Sequence, residues 1–189
     1  MDTVTLRPFT LDDEPEALAA QAELAADDFT FLLGNWEPGE PWPGFLARLD
    51  RWSRGEDVPP GMVPSTFLAA QAQGTLVGRV SIRHELNDYL AEVGGHIGYG
   101  VRPAFRRRGY ATQILRGSLA LCRDLGLDSV LVTCDDDNVG SARTIEQCGG
   151  VFERVTYAPD RVVAKRRYWI AVPQDNRQLY MSEPGVVSS

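Results

Sequence analysis

Apolar and polar positions fall into blocks whose period changes along the chain, and each change marks an element. Val4-Thr5-Leu6-Arg7 reads as a short strand that Pro8 stops. Thr10, followed by Leu11-Asp12-Asp13, has the character of a helix N-cap with acids in the first turn, and the helix runs on through Ala17, Leu18, Gln21 and Leu24. Phe67–Gln71 and Leu76–His84 read as strands joined by a hairpin turn at Gln73-Gly74. Gly95–Val101 is a third strand, ended by Pro103. The period then becomes helical: Ala111, Ile114, Leu115, Ser118, Cys122 and Leu125 share one face, with Gly126 as the stop. Ser129–Cys134 is nearly all apolar, as a strand covered on both faces must be. A helix from Val139 to Cys148 ends at Gly149-Gly150, and two strands follow near 151–155 and 166–172.

The order predicts an α/β (α+β) domain: a mixed, mostly antiparallel sheet of six to seven strands flanked by helices, with one strand–helix–strand crossover in its back half. One domain is expected over 1–173. Residues 34–64 form an insertion rich in Pro, Gly and Trp, broken by a short helix around 45–52. Long loops of this kind are usually functional or mobile. Trp36, Trp42 and Trp52 therefore admit two readings, a lid over substrate or a cover for the core. The segment 174–189 lacks apolar periodicity and reads as a loose tail.

Charge and composition narrow the function classes. The formal net charge of −7 argues against nucleic-acid or anionic-membrane partners and is compatible with a cationic acceptor such as an amine. No stretch approaches the ~20 apolar residues of a membrane helix. The acidic start, Met1-Asp2-Thr3-Val4, does not look like a secretory signal. Three cysteines, at 122, 134 and 148, suggest neither a disulfide framework nor a metal site; reduced thiols and a cytoplasmic location are expected.

The segment that points to chemistry is Val101-Arg102-Pro103-Ala104-Phe105-Arg106-Arg107-Arg108-Gly109-Tyr110-Ala111-Thr112, between a strand and a helix. Gly109 permits a close turn, and the first amides of the following helix suit a pyrophosphate. Arginines at 102, 106, 107 and 108 add charge whose planar fork matches phosphate oxygens. The chain lacks the Gly-x-x-x-x-Gly-Lys-Ser/Thr pattern of a P-loop.

Arg106-x-x-Gly109-x-Ala111 after Val101-x-Pro103 resembles the acetyl-CoA signature of the GNAT family of N-acetyltransferases. Leu6-Arg7-Pro8 with Asp12-Asp13 is similar to the family's first strand and helix, and Asn138-Val139-Gly140-Ser141 through Glu146 to Gly149 to its second cofactor-contacting helix. Arg83-His84 and Gly94-Gly95-His96-Ile97-Gly98-Tyr99 look like a bacterial subgroup of acetyltransferases. The resemblance implies acetyl-CoA as co-substrate, held by Gly100, Val101 and Arg102 through the main chain, by Arg106 to Thr112 (Arg107, Arg108, Gly109, Tyr110 and Ala111 between them), and by Asn138. It implies a small-molecule or peptide amine as acceptor, and it allows a homodimer.

An amine must lose its proton before attack, so a base is sought. His96 is the first candidate and Glu92 the second; His84 lies on the adjacent strand. Many family members carry a proton-donating tyrosine where this chain has Ile145; Tyr99 or water is the expected substitute. The missing tyrosine leaves a non-catalytic acyl-CoA sensor as the alternative. Cys134 as an acyl-accepting nucleophile lacks a histidine at motif distance.

Overall fold

A computed structural model of the chain describes residues 2–32, 36–157 and 163–173. Seven strands form one sheet: β1 (Thr5–Pro8), β2 (Ser65–Ala72), β3 (Thr75–Arg83), β4 (Ile97–Val101), β5 (Ser129–Asp135), β6 (Val151–Thr156) and β7 (Lys165–Ala171), in the spatial order β1-β2-β3-β4-β5-β7-β6. Every neighbouring pair is antiparallel except β4 and β5. That parallel pair is joined by α3 (Tyr110–Asp124), and α4 (Val139–Gln147) follows β5. The mixed, mostly antiparallel sheet expected from the sequence is the sheet observed.

The sheet separates two apolar layers. On one face, Val80 and Ile82 of β3, Val130 and Val132 of β5 and Tyr168 and Ile170 of β7 pack against Ile114, Leu115 and Cys122 of α3 and Ala142 and Ile145 of α4. On the other, Phe67 and Ala69 of β2 pack against α1 (Glu14–Ala25) and α2 (Trp42–Ser53) through Ala17, Ala20 and Leu24 and through Trp42, Phe45, Leu49 and Trp52. Trp42 and Trp52 are 2% and 4% exposed, so they cover this second core and form no lid; Trp36 packs against the same cluster. Their spacing with Phe45 and Leu49 is that of one helical face. Trp42 also donates its indole N–H to the Thr10 carbonyl at 2.9 Å, which ties α2 to the entry of α1.

At that entry Thr10 is the N-cap, as expected, and Asp13 closes a capping box with it. Asp13 accepts from both the amide (2.7 Å) and the hydroxyl (3.0 Å) of Thr10, and it is buried in a two-pronged pair with Arg7 (2.6 and 2.7 Å). The expected tail, 174–189, lies outside the described residues.

Candidate active site

The site begins where β4 and β5 part. The two strands meet at one register pair, Ile97 with Val132. Just before it, a π-helical turn (Leu90–Gly94) leads into Gly95 at φ 67, where an added Cβ would stand 2.7 Å from the Leu131 carbonyl. Only glycine meets both demands, the left-handed backbone and the close approach to β5. Beyond Ile97 the strands diverge and leave a gap between their carboxyl ends.

The ladder to β3 decides which amides of β4 face that gap. Arg83 N–H donates to the His96 carbonyl (2.8 Å) and Arg102 N–H to the Val77 carbonyl (2.9 Å). An antiparallel ladder alternates, so between these two bonds Gly98 and Gly100 also turn their amides toward β3. Tyr99 and Val101 turn theirs into the gap. The expectation of main-chain contacts from Gly100 and Arg102 is corrected on this point: both are spent within the sheet, and the residue missed is Tyr99. Gly100 instead gives room, since the Phe29 ring lies where its Cβ would be.

The turn into α3 presents a second set of free amides. Arg107 (φ 60) and Gly109 (φ 77) are both left-handed, and Gly109 is the N-cap of α3 with no side-chain cap. The first backbone bond back into this turn is from Gln113 N–H to the Gly109 carbonyl. Among the described residues the N–H groups from Arg107 to Thr112 have no acceptor, and together with the helix dipole they form an anion-binding concavity.

The four arginines divide. Arg102 pairs with Glu23 (2.6 and 2.9 Å) and reaches the Leu76 carbonyl; Arg106 pairs with Asp27 (2.5 Å) and reaches the Val101 carbonyl (3.2 Å). Acids of α1 and of the turn after it thus neutralise two of the four. Arg107 and Arg108 are exposed and, among the described residues, have no acidic partner. Tyr110 turns its ring into the core, and its hydroxyl reaches Asp2 at 3.1 Å, so only its main chain faces the turn. Ala111 and Thr112 are half-buried; the Thr112 hydroxyl lies 3.4 Å from Gln147 on α4.

Across the gap, Asn138 caps α4 by accepting from Ser141 N–H at 2.9 Å. Its side-chain amide N–H groups remain exposed at the mouth of the gap, so the cap and a ligand contact are compatible. Ile145 is buried in the core and offers no proton. Tyr99 reaches toward α4 from the opposite side, with its hydroxyl 2.9 Å from Ser141 Oγ. Burial pushes the Tyr99 phenol up to about 12, the Ser141 contact opposing only part of that shift, so the group stays protonated at neutral pH.

Neither candidate base is free. His96 is buried, and its Nδ1 accepts the Leu131 N–H at 2.9 Å. In the neutral ring Nε2 then carries the proton, and no lone pair is left for an incoming proton. The expected base role of His96 is corrected accordingly. Burial first, and the nearby Arg83 second, hold its pKa below the ordinary value. Glu92 accepts from the Thr156 hydroxyl and from Arg154 (2.8 Å), and these contacts lower its pKa, the wrong direction for a base at neutral pH. His84 bonds Thr66 at 2.8 Å on the outer end of β3. Cys134 is buried, and burial raises its thiol to about 11, which denies it a thiolate.

A strand parting from its parallel neighbour, followed by a left-handed turn with free amides at a helix start, is an arrangement suited to a ligand that carries a pyrophosphate. The model of the Acetyltransferase (GNAT) domain matches residues 3–151, and the chain belongs to that family. Among solved structures it is similar to the microcin C7 self-immunity acetyltransferase MccE in complex with acetyl-CoA and AMP (18% identity, 91% of this chain and 94% of that one, TM-score 0.63). It is similar to Mycobacterium smegmatis RimJ in complex with CoA-disulfide (20%, 90% and 84%, 0.65). A third is RimL, the ribosomal L7/L12 alpha-N-protein acetyltransferase (15%, 90% and 91%, 0.65). These likenesses establish a shared fold. No curated protein sequence matches the chain.

Proposed function

We propose that the protein transfers the acetyl group of acetyl-CoA to a primary amine, with the amides from Arg107 to Thr112 holding the pyrophosphate. The observation that carries this reading is the run of unpartnered N–H groups around left-handed Arg107 and Gly109, beside the gap into which Tyr99 and Val101 turn their own amides. A pantetheine arm has the amide groups to pair with such a strand edge. The thioester carbonyl then lies against β4 backbone N–H groups, which stabilise negative charge developing on its oxygen.

The amine nitrogen attacks the thioester carbon, the C–S bond breaks, and CoA leaves as a thiolate. Tyr99 is the group we assign to protonate that sulfur, with Ser141 orienting the phenol, and its phenolate then recovers a proton from solvent. In this reading Tyr99 takes over the task that Ile145 is unable to perform. With His96 and Glu92 engaged elsewhere, the amine gives up its proton to water. The free thiols at Cys122, Cys134 and Cys148 support a cytoplasmic setting, and among the described residues no helix is long and apolar enough to cross a membrane. Incubation with acetyl-CoA and a panel of amines tests the reading. Steady thiol release with an acetylated product is expected; binding of acetyl-CoA with no transfer to any amine would count against it.

A further inference from the structure

Along β3, Arg79, Ser81 and Arg83 share the face that looks toward α1 and α2, while Val80 and Ile82 enter the opposite core. Arg79 is 4% exposed and has no carboxylate partner among the described residues. Its guanidinium is satisfied by three carbonyls instead, those of Phe31 (3.0 Å), Thr30 (3.0 Å) and Gly98 (2.8 Å), and it lies over the Phe29 ring at 4.5 Å. Burial lowers its pKa to about 9, and it remains a cation at neutral pH.

Arg83 lies on the same face of β3, four residues further on, without those partners. It is half-buried, and its guanidinium lies over Gly98, where an added Cβ would stand 3.1 Å from one terminal nitrogen. Among the described residues its one side-chain hydrogen bond reaches the Gly95 carbonyl at 3.5 Å, the limit for such a bond. No Asp or Glu pairs with it there. Arg102, Arg106 and Arg167 are matched, with Glu23, Asp27 and Glu153, and Arg107 and Arg108, which among the described residues are not, stand exposed to water, whereas Arg83 is half-buried. A planar fork held out of bulk water, open to a gap and unmatched in a chain of net charge −7, is a place where a ligand supplies the anion.

We propose that Arg83 docks an anionic group of the acceptor, so that the substrates are amines carrying a carboxylate or a phosphate a few bonds from the nitrogen. Gly98 is the first residue of β4 past its contact with β5, so an acid seated on Arg83 leaves the attached amine over the gap. This rests on the acceptor approaching β4 at the gap, as in the transfer reaction proposed above.

The test compares matched pairs by thiol release: β-alanine with its amide, and phosphoethanolamine with ethanolamine. Both members of a pair are assayed with the wild type, Arg83→Gln and Arg83→Lys. The change on substitution, taken within each pair, cancels differences in intrinsic amine reactivity. For the acidic member, Arg83→Gln is expected to raise KM by about 10-fold or more, as loss of a charge-assisted bidentate contact does. The neutral member and the KM for acetyl-CoA should stay within about 2-fold, and Arg83→Lys should recover part of the acidic preference. The pair that responds distinguishes carboxylate from phosphate. Equal losses on acidic and neutral members, or a wild type indifferent to the acid, overturn the assignment and leave the transferase intact. Transfer to no amine at all removes the transferase reading and this one with it. Should Arg83→Gln not fold, the same comparison on Arg83→Lys decides, with a KM rise confined to the acidic member expected and a uniform change fatal.

Discussion

The hydroxyl of Tyr99 on β4 stands 2.9 Å from Ser141 Oγ on α4, a bond that crosses the gap between two elements 42 residues apart in sequence. A half-buried neutral phenol bridging to α4 is well placed to give a proton to a departing thiolate in the proposed reaction. Tyr99→Phe keeps the ring and removes the proton, so turnover should fall by about 10²-fold, the usual scale for loss of a general acid, with acetyl-CoA affinity nearly unchanged. Because the phenol is held up to about 12, the wild-type rate should show no loss from Tyr99 ionisation up to about pH 10. A variant with normal turnover, assayed with the best amine, would pass the role to water.

Gly109 and Gly126 allow the phosphate turn to be tested apart from backbone strain. Both are left-handed, at φ 77 and 78, one before α3 and one after it. Substitution at either site should cost about 1–2 kcal/mol of stability, because an L side chain resists this conformation. Only Gly109→Val also blocks approach to the free amides of the turn. Calorimetry should find acetyl-CoA binding abolished in Gly109→Val and retained in Gly126→Ala. Retained binding in both would displace the cofactor from this turn.

His96 makes stability, and not chemistry, sensitive to acid. Its folded pKa is depressed by burial and by Arg83, so the neutral ring favours the native state. The contribution is full above the unfolded value of about 6.5 and drains away as pH falls from there toward the lowered folded value. His84, also held down by burial, adds in the same sense. Melting temperature should therefore drop between pH 7.5 and 5, and His96→Gln, which can still accept from Leu131 N–H, should drop less. Turnover per folded molecule should survive the substitution; a hundredfold loss with intact folding would return His96 to the reaction.

The strand, turn and helix from Ile97 to Thr112 were legible because the period changes from two to 3.6 around a glycine, and local sequence controls both. What escaped the sequence depends on distant partners. Arg102 and Arg106 look like phosphate ligands until Glu23 and Asp27, each 79 residues away, claim them. His96 looks like a base until its Nδ1 meets an amide 35 residues later. Which amides of β4 face the gap depends on the irregular π-turn and Gly95 before the strand, and no alternation pattern encodes that. The tryptophans are a different case. Trp42, Phe45, Leu49 and Trp52 recur at helical spacing, so their burial was available from the sequence alone.

Gly78 couples the geometry of the gap to the interior of the sheet. It pairs with Val101 in the β3–β4 ladder, and an added Cβ would lie 2.3 Å from the Gly100 carbonyl oxygen. The obstacle is backbone, so no side-chain rotation relieves it; β4 itself must move. On the other side the same Cβ would meet Ile114 of α3 at 3.3 Å, which closes the alternative of shifting β3 toward the helix. Gly78→Ala should thus cost about 1–3 kcal/mol, the range for overpacking a filled core. The displaced strand end is the one whose Tyr99 and Val101 amides face the gap, so acetyl-CoA affinity should fall as well. Gly117→Ala supplies the contrast: its Cβ would meet only the flexible end of Leu6, at 3.1 Å, on the far side of α3 from the gap. Melting temperature and acetyl-CoA affinity measured on both variants should show the two losses together in Gly78→Ala and neither to that extent in Gly117→Ala. A Gly78→Ala protein of unchanged affinity would mean that β4 yields without moving the amides that face the gap.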